Sequence, residues 1–112
     1  IASNDATLLK NYNKSIITWG VDPILNKYKK ENKNINYKIS NFFDHNLIIK
    51  KNKKIKFKVI TALSVFYDLK NPNIFLDGIK KILHSDGIFY LEFQDLMLIL
   101  KKICLTQYVT NI

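Results

Sequence analysis

Lys58 to Leu69 reads KVITALSVFYDL, Lys70-Asn71-Pro72 reads as a turn, Asn73 to Gly87 is NIFLDGIKKILHSDG, and Ile88 to Phe93 is IFYLEF. This stretch decides the fold. Val59-Ile60-Thr61-Ala62-Leu63 is apolar without alternation, the pattern of a strand covered on both faces. Ile74, Phe75, Ile79, Ile82 and Leu83 fall near the spacing of one helical face, and Gly87 is expected to close that helix. Ile88 to Phe93 then restarts a β pattern. Strand, crossover helix and strand make a βαβ unit, which implies a parallel α/β sheet with ligands at the carboxyl ends of its strands.

Outward from this unit the same alternation continues. Ile1 to Asp5 reads as a strand end entering a polar turn, with Asn4 or Asp5 able to cap a helix that starts at Ala6 and ends by Asn13. Ser15 to Asp22 (SIITWGVD) is expected as a strand, and Pro23 suits the first turn of a Lys-rich helix over Ile24 to Lys33. Ile35 to Ile39 alternates as a third strand. His45 to Ile49 is open between a short helix and extended chain. Gln94 to Lys102 (QDLMLILKK) reads as helix, and the tail to Ile112 is left open. The expected fold is α/β, a truncated Rossmann-like doubly wound and mostly parallel sheet with flanking helices, in a single domain over residues 1–112.

Composition narrows the function classes. With 112 residues, 47% hydrophobic and 24% charged, the chain is globular and forms one domain at most. No apolar run approaches a membrane span, and no signal-peptide pattern opens the chain. It begins at Ile1 inside a strand end, so we expect a piece of a longer protein. The net charge of +9 makes a basic nucleic-acid-associated protein an alternative reading, yet all 18 basic residues are Lys. Arg is the residue that grips phosphates and guanine edges in bidentate fashion, so its absence argues against evolved nucleic-acid readout. The densest basic run, Lys50 to Lys58, reads as a solvated loop. Cys104 is alone, which excludes a disulfide framework and fits a reducing, cytoplasmic compartment. His45 and His84 lack ligand spacing, so no metal site is expected. His84 is expected in the last turn of a helix, where a cation complements the dipole.

In a doubly wound sheet three positions carry the ligand: the turn after the first strand, an acid ending the second, and the loop after the third. Asp22 stands at the second position, either accepting from ribose hydroxyls or capping the turn ahead of Pro23. Asn41, Phe42 and Phe43 stand at the third, where the aromatics serve either a base or the core.

These residues also carry a resemblance. Ile1-Ala2-Ser3-Asn4-Asp5-Ala6-Thr7-Leu8-Leu9 resembles the E-I-G-S-N-D-G-T-L-L signature of class I S-adenosylmethionine-dependent methyltransferases, closest to the branch that C-methylates nucleotide-linked deoxy sugars. Trp19-Gly20-Val21-Asp22-Pro23 is similar to the family's G-V-D-P, and Asn41-Phe42-Phe43 to its D-F-F. Val59 to Leu69 resembles I-T-A-S-N-V-F-x-H-I, and Leu83 to Glu92 resembles L-K-P-G-G-x-F-x-x-E. The resemblance implies S-adenosylmethionine as cofactor and a small-molecule acceptor, a nucleotide sugar. Ala2, Ser3 and Asn4 would line its methionine end, Asp22 and Pro23 its ribose, Asn41 and Phe42 its adenine, with Ala62 and Leu63 where the methyl is delivered.

The departures matter as well. Ala2 and Ala6 replace two glycines in a turn where positive φ or close backbone approach is needed, so each Cβ is costly. Asn41 replaces an acid, and Asp68 stands where the family has His. The family's H-E-H stretch falls on Thr110, Asn111 and Ile112 in an ungapped register, which leaves the catalytic group unknown. Tyr67, Asp68, Tyr90 and Asp95 are the nearest acid–base candidates. A non-catalytic binding or scaffold domain is the alternative that these departures suggest.

Overall fold

The computed structural model describes residues 1–4, 6–30, 32–65, 69–93 and 106–110, with Phe93 and residues 106–110 described by their backbone alone. The chain is a mixed α/β protein. Its elements are α1 (Thr7–Lys10), β1 (Trp19–Val21), a 3-10 turn (Leu25–Lys27), β2 (Tyr37–Ile39), α2 (His45–Lys51), β3 (Phe57–Leu63), α3 (Pro72–Ile82), β4 (Leu83–Phe93) and β5 (Thr106–Thr110). β1 and β2 pair in parallel, β3 and β4 pair in parallel, and β5 joins the outer edge of β4 antiparallel.

The βαβ unit forms as its sequence implies. Asn71 caps α3 by accepting a hydrogen bond from the Ile74 N–H at 3.2 Å, and Pro72 opens the first turn. Phe75, Ile79 and Ile82 form the buried face of α3, while Ile74 is exposed. They join Ile60 and Ala62 of β3 and Phe89 and Leu91 of β4 in one core. Val21 and Ile39 of the smaller sheet and Ile48 of α2 belong to the same cluster, so side chains unite the two sheets beneath α2 and α3. The opposite face of β1 is covered by α1 and the 3-10 turn. A Cβ on Gly20 would lie 3.4 Å from both Leu9 and Leu25 there.

The helix does not run to Gly87. It ends at Ile82, and Leu83 is already extended, with φ −80° and ψ 138°. Leu83 pairs with Phe57, and the next register is Val59 with Ile88, so β4 spends five steps where β3 spends two. Gly87 lies in that bulge. A Cβ there would stand 2.8 Å from the Phe57 carbonyl and 2.9 Å from that of His84, which backbone atoms cannot yield. His84 therefore sits in a strand bulge and not at a helix end. Its Nδ1 accepts from the Asp86 N–H at 3.0 Å.

Asparagines account for the other shortened elements. The strand expected over Ser15 to Asp22 is reduced to Trp19–Val21, since Asn13 Oδ1 accepts from the Ser15 N–H at 3.0 Å and holds the chain in a turn. Asn36 Oδ1 accepts from the Thr18 N–H at 2.9 Å, and the third strand starts at Tyr37 instead of Ile35. The helix expected over Ile24 to Lys33 is a 3-10 turn, because buried Asn32 folds back to donate to the Leu25 carbonyl at 2.6 Å. The first helix is a single turn with no side-chain cap at its N-terminus, closed at the other end by Asn11, whose Nδ2 donates to the Thr7 carbonyl at 3.1 Å. His45–Lys51 is a helix, capped by Asp44 through the Asn46 N–H at 2.9 Å. The Asp5 cap, the helix over Gln94 to Lys102 and Cys104 lie outside the described residues.

Gly87→Ala is expected to destabilise the fold by about 1–3 kcal/mol, because the new methyl overpacks against two carbonyls. A urea titration checks this: the midpoint falls while the slope is kept.

Candidate functional site

The residues singled out by the sequence gather along one rim, at the carboxyl ends of β1, β2 and β3. Hydrogen bonds tie Ser3, Asn4, Asp22 and Pro23 among them to the ends of β1 and β2. Ser40, just after β2, donates from Oγ to the Pro23 carbonyl at 3.0 Å. The Asp22 N–H donates to the Ile39 carbonyl at 3.1 Å. Asp22 Oδ1 accepts from the Ile24 N–H at 2.9 Å and Oδ2 from the Asn4 N–H at 3.1 Å. The Ser3 N–H reaches the Val21 carbonyl at 3.3 Å, and the Ile1 nitrogen reaches the Thr61 carbonyl at 2.7 Å. Residues 1–3 thus bridge the ends of β1 and β3.

Asp22 holds the turn ahead of Ile24 and clasps the opening loop with the same carboxylate. Its two oxygens offer about four acceptor sites, of which these bonds use two. The aromatic pair divides. Phe43 packs on Phe75 with ring centroids 5.1 Å apart, whereas Phe42 is 78% exposed. Asn41 Oδ1 accepts from the Phe42 N–H at 2.7 Å, closing a tight turn that presents that ring. Pro23 is exposed. Leu63 is half-buried, and Ala62 is fully buried in the core, so only its backbone reaches the rim. Ser3 Oγ is buried without a partner and would stand 3.3 Å from a Cβ on Gly20, so the hydroxyl lies over the sheet instead of outward.

The opening turn takes the shape that glycines would favour. Ala2, Asn4 and Ala6 have φ of 52°, 49° and 65°, in the left-handed region. Ser64, which follows β3 directly, has φ 53°. Its N–H donates to the Glu92 carbonyl at 2.8 Å, and its hydroxyl lies 3.5 Å from Glu92 Oε1. Ser64 and Glu92 extend the rim to the end of β4. Glu92 ends the Leu83 to Glu92 block without a role that its sequence pattern implies, and Ser64 carries no sequence signal of its conformation. Tyr90 is half-buried in β4, two residues before Glu92. Tyr67, Asp68, Asp95, Asn111 and Ile112 lie outside the described residues, and Thr110 ends β5.

A cavity of about 620 Å³ opens beside this rim, with Ile1 to Asn4 at its upper end. It runs along β1 and β3 between the two sheets, from Leu63 and Val21 down to Phe57 and Thr18, so only its top belongs to the rim. Among the described residues no group of His, Cys, Asp and Glu could hold a metal ion. No helix among them is long and apolar enough to cross a membrane. The chain matches no protein-family model, no curated protein and no solved structure.

Backbone strain at the opening turn makes a prediction. A non-glycine residue in the left-handed region costs about 1–2 kcal/mol, part of which glycine returns through its freer unfolded state. Ala2→Gly should stabilise by about 0.5–1 kcal/mol, raising Tm by roughly 2–5 °C. Ala6→Gly should be near neutral, because Ala6 is fully buried and loses a methyl worth about 0.8 kcal/mol.

Proposed function

We propose that the chain is the cofactor-binding part of an S-adenosylmethionine-dependent methyltransferase with a Rossmann-like doubly wound sheet, acting in C-methylation of a nucleotide-linked sugar. The observation that carries the reading is the rim itself. Blocks of sequence that resemble the family in order, from Ala2 to Leu63, end at one edge joined by hydrogen bonds. Three features support the doubly wound reading. The spatial order β2, β1, residues 1–3, β3, β4 reverses direction at residues 1–3, where such sheets bind ligands. α1 and the 3-10 turn cover one face of β1. α2 and α3 cover the other.

The residues present fit an adenosine. Asp22 retains acceptor capacity for the ribose diol, and its clasp on Asn4 keeps the carboxylate aimed at the opening turn. Phe42 offers an uncovered aromatic face for the adenine, with Asn41 beside it. The turn from Ala2 to Asn4 brings backbone groups to the methionine end without glycine. When bound, the cofactor supplies an electrophilic methyl group on a sulfonium. The protein's part is then to align a nucleophile and to remove a proton. Glu92, beside Ser64 at the rim, is the carboxylate available for that proton. A cytoplasmic setting belongs with this reading.

The alternative, a binding or scaffold domain without activity, is favoured by one observation: Ala2 and Ala6 keep their Cβ atoms in a turn that must approach the ligand.

Calorimetric titration with S-adenosylhomocysteine tests the proposal. Micromolar binding is expected, weakened by about 5–100-fold in Phe42→Ala, since stacking on a base is worth about 1–3 kcal/mol. Phe42 is exposed, so thermal stability should not change in that variant. Absence of binding at millimolar ligand would remove the cofactor reading and leave the scaffold domain.

A further inference from the structure

We propose that the end of the molecule opposite the rim docks, through its lysines, on the surface of an anionic lipid bilayer. By sequence alone, Lys50 to Lys58 reads as a solvated loop. The fold gives this run a definite place. Lys50 and Lys51 end α2, and Lys53 and Lys54 follow in a turn that Asn52 holds by accepting from the Lys54 N–H at 3.1 Å. Lys56 and Lys58 flank the first residue of β3, and Lys80 and Lys81 fill the last turn of α3. Since β3 and β4 are parallel, α2 and α3 both end where these strands begin. Lys56 Nζ donates to the Lys81 carbonyl at 2.6 Å, and Lys58 Nζ lies 3.3 Å from His84 Nδ1. Lys81 Nζ lies 3.5 Å from His45 Nε2 of α2, so the two helices share this surface. Two separate stretches of sequence are thus drawn into one basic end with eight exposed lysines.

The fold itself makes little use of this charge. Among the described residues the only cation within 4.0 Å of a carboxylate is His45, beside Asp44, so none of these lysines is in an ion pair there. Asp22 and Glu92 stand at the far rim, and Asp86 lies beside His84 with its N–H, not its carboxylate, turned to the imidazole. The helix ends attract part of the charge, as the Lys56 bond to the last turn of α3 shows. What is left is a set of like charges whose mutual repulsion a polyanion would relieve.

The residue type selects the polyanion. Lysine carries a compact, strongly hydrated point charge on a flexible stem, with no fixed geometry of its own. Close-fitting protein interfaces and phosphate grips favour arginine, and the chain has none. Single-stranded nucleic acid also needs exposed aromatic rings on which bases stack. At this end Phe57 is half-buried and edge-on to Trp19, while the exposed ring of Phe42 belongs to the opposite rim. A bilayer surface asks for neither fork nor ring. Its headgroups move to meet the charges, each lysine near the surface strengthens binding roughly fivefold, and clusters of about 4–8 are the usual size. Such docking needs no membrane-crossing helix. It also sets an orientation: the carboxyl ends of β1, β2 and β3, with the rim, face away from the lipid and stay open to solution.

The test is co-sedimentation of the full chain with vesicles of phosphatidylcholine containing about 30% phosphatidylserine, beside vesicles of phosphatidylcholine alone. Binding is expected to the first and not to the second, and is lost at about 1 M salt, where the screening length is about 3 Å. Lys53→Glu combined with Lys54→Glu changes two exposed side chains that have no described partner, so Tm is kept while binding weakens by at least about 25-fold. Lys27→Glu combined with Lys70→Glu makes the same change in net charge outside this surface and is expected to cost less than about threefold. A short RNA duplex, compared at equal salt and equal anionic charge, is expected to bind more weakly than the vesicles. Absence of binding to the anionic vesicles, equal losses in the two double variants, or tighter binding to the RNA overturns the proposal. The outcome is independent of whether the rim binds S-adenosylhomocysteine, since the rim lies at the other end of the strands.

Discussion

Burial of one face of α3 is the interaction on which the rest of the structure depends. Ile79 and Ile82 are almost wholly withdrawn from water, and Phe75 nearly so. At about 1.5–3 kcal/mol for each such side chain, this face offers several times the free energy of any hydrogen bond at the rim. Its partners come from both sheets. Ile60, Ala62, Phe89 and Leu91 of the larger sheet and Val21 and Ile39 of the smaller share one cluster. The sheets are not joined by a described strand ladder, so it is this side-chain layer that gives them a common frame. The backbone bonds from Ile1 and Ser3 then close the seam at its upper end.

The parts readable in the sequence are those where burial dictates pattern. Val59 to Leu63 marks a strand because Ile60 and Ala62 are buried against the core, although Val59 on the other face is 48% exposed and the expected cover on both faces is incomplete. The helical face of α3 was readable for the same reason. What the sequence hid was local hydrogen bonding by asparagine. Asn13, Asn32 and Asn36 each capture a backbone group that a longer strand or helix would need, and apolar periodicity does not register such competition. Gly87 misled differently. A glycine after a helical pattern suggests a cap, yet here it is the one residue slim enough for the bulge. At the rim, Asp22 was legible because the acid ends an apolar run. The division of Phe42 from Phe43 was not, since adjacent identical residues carry no signal of which one turns inward.

Strain is concentrated at the rim. Every described non-glycine residue with positive φ lies there: Ala2, Asn4, Ala6 and Ser64. Each costs about 1–2 kcal/mol, in a fold whose total margin is on the order of 5–15 kcal/mol. Such conformations persist where the surroundings over-determine them. Here the surroundings can be named: the Asp22 clasp on Asn4, the bonds at Ile1 and Ser3, and the Ser64 bond to Glu92. The opening turn and the end of β3 are thereby held against each other, which is the arrangement a ligand bridging them would require.

The seam also contains the chain's only tryptophan. Trp19 stacks on Tyr37 of its own sheet at 4.4 Å and meets Phe57 of the other sheet edge-on at 5.6 Å, with its Nε1 buried and unpartnered. An indole in that position is a built-in optical probe of one joint. Its emission colour and quenching are governed by whether water and a neighbouring ring stand at the junction, not by the integrity of α3 beneath it. Loss of the joint while the βαβ unit persists would therefore be visible as a fluorescence transition separated from the far-ultraviolet one.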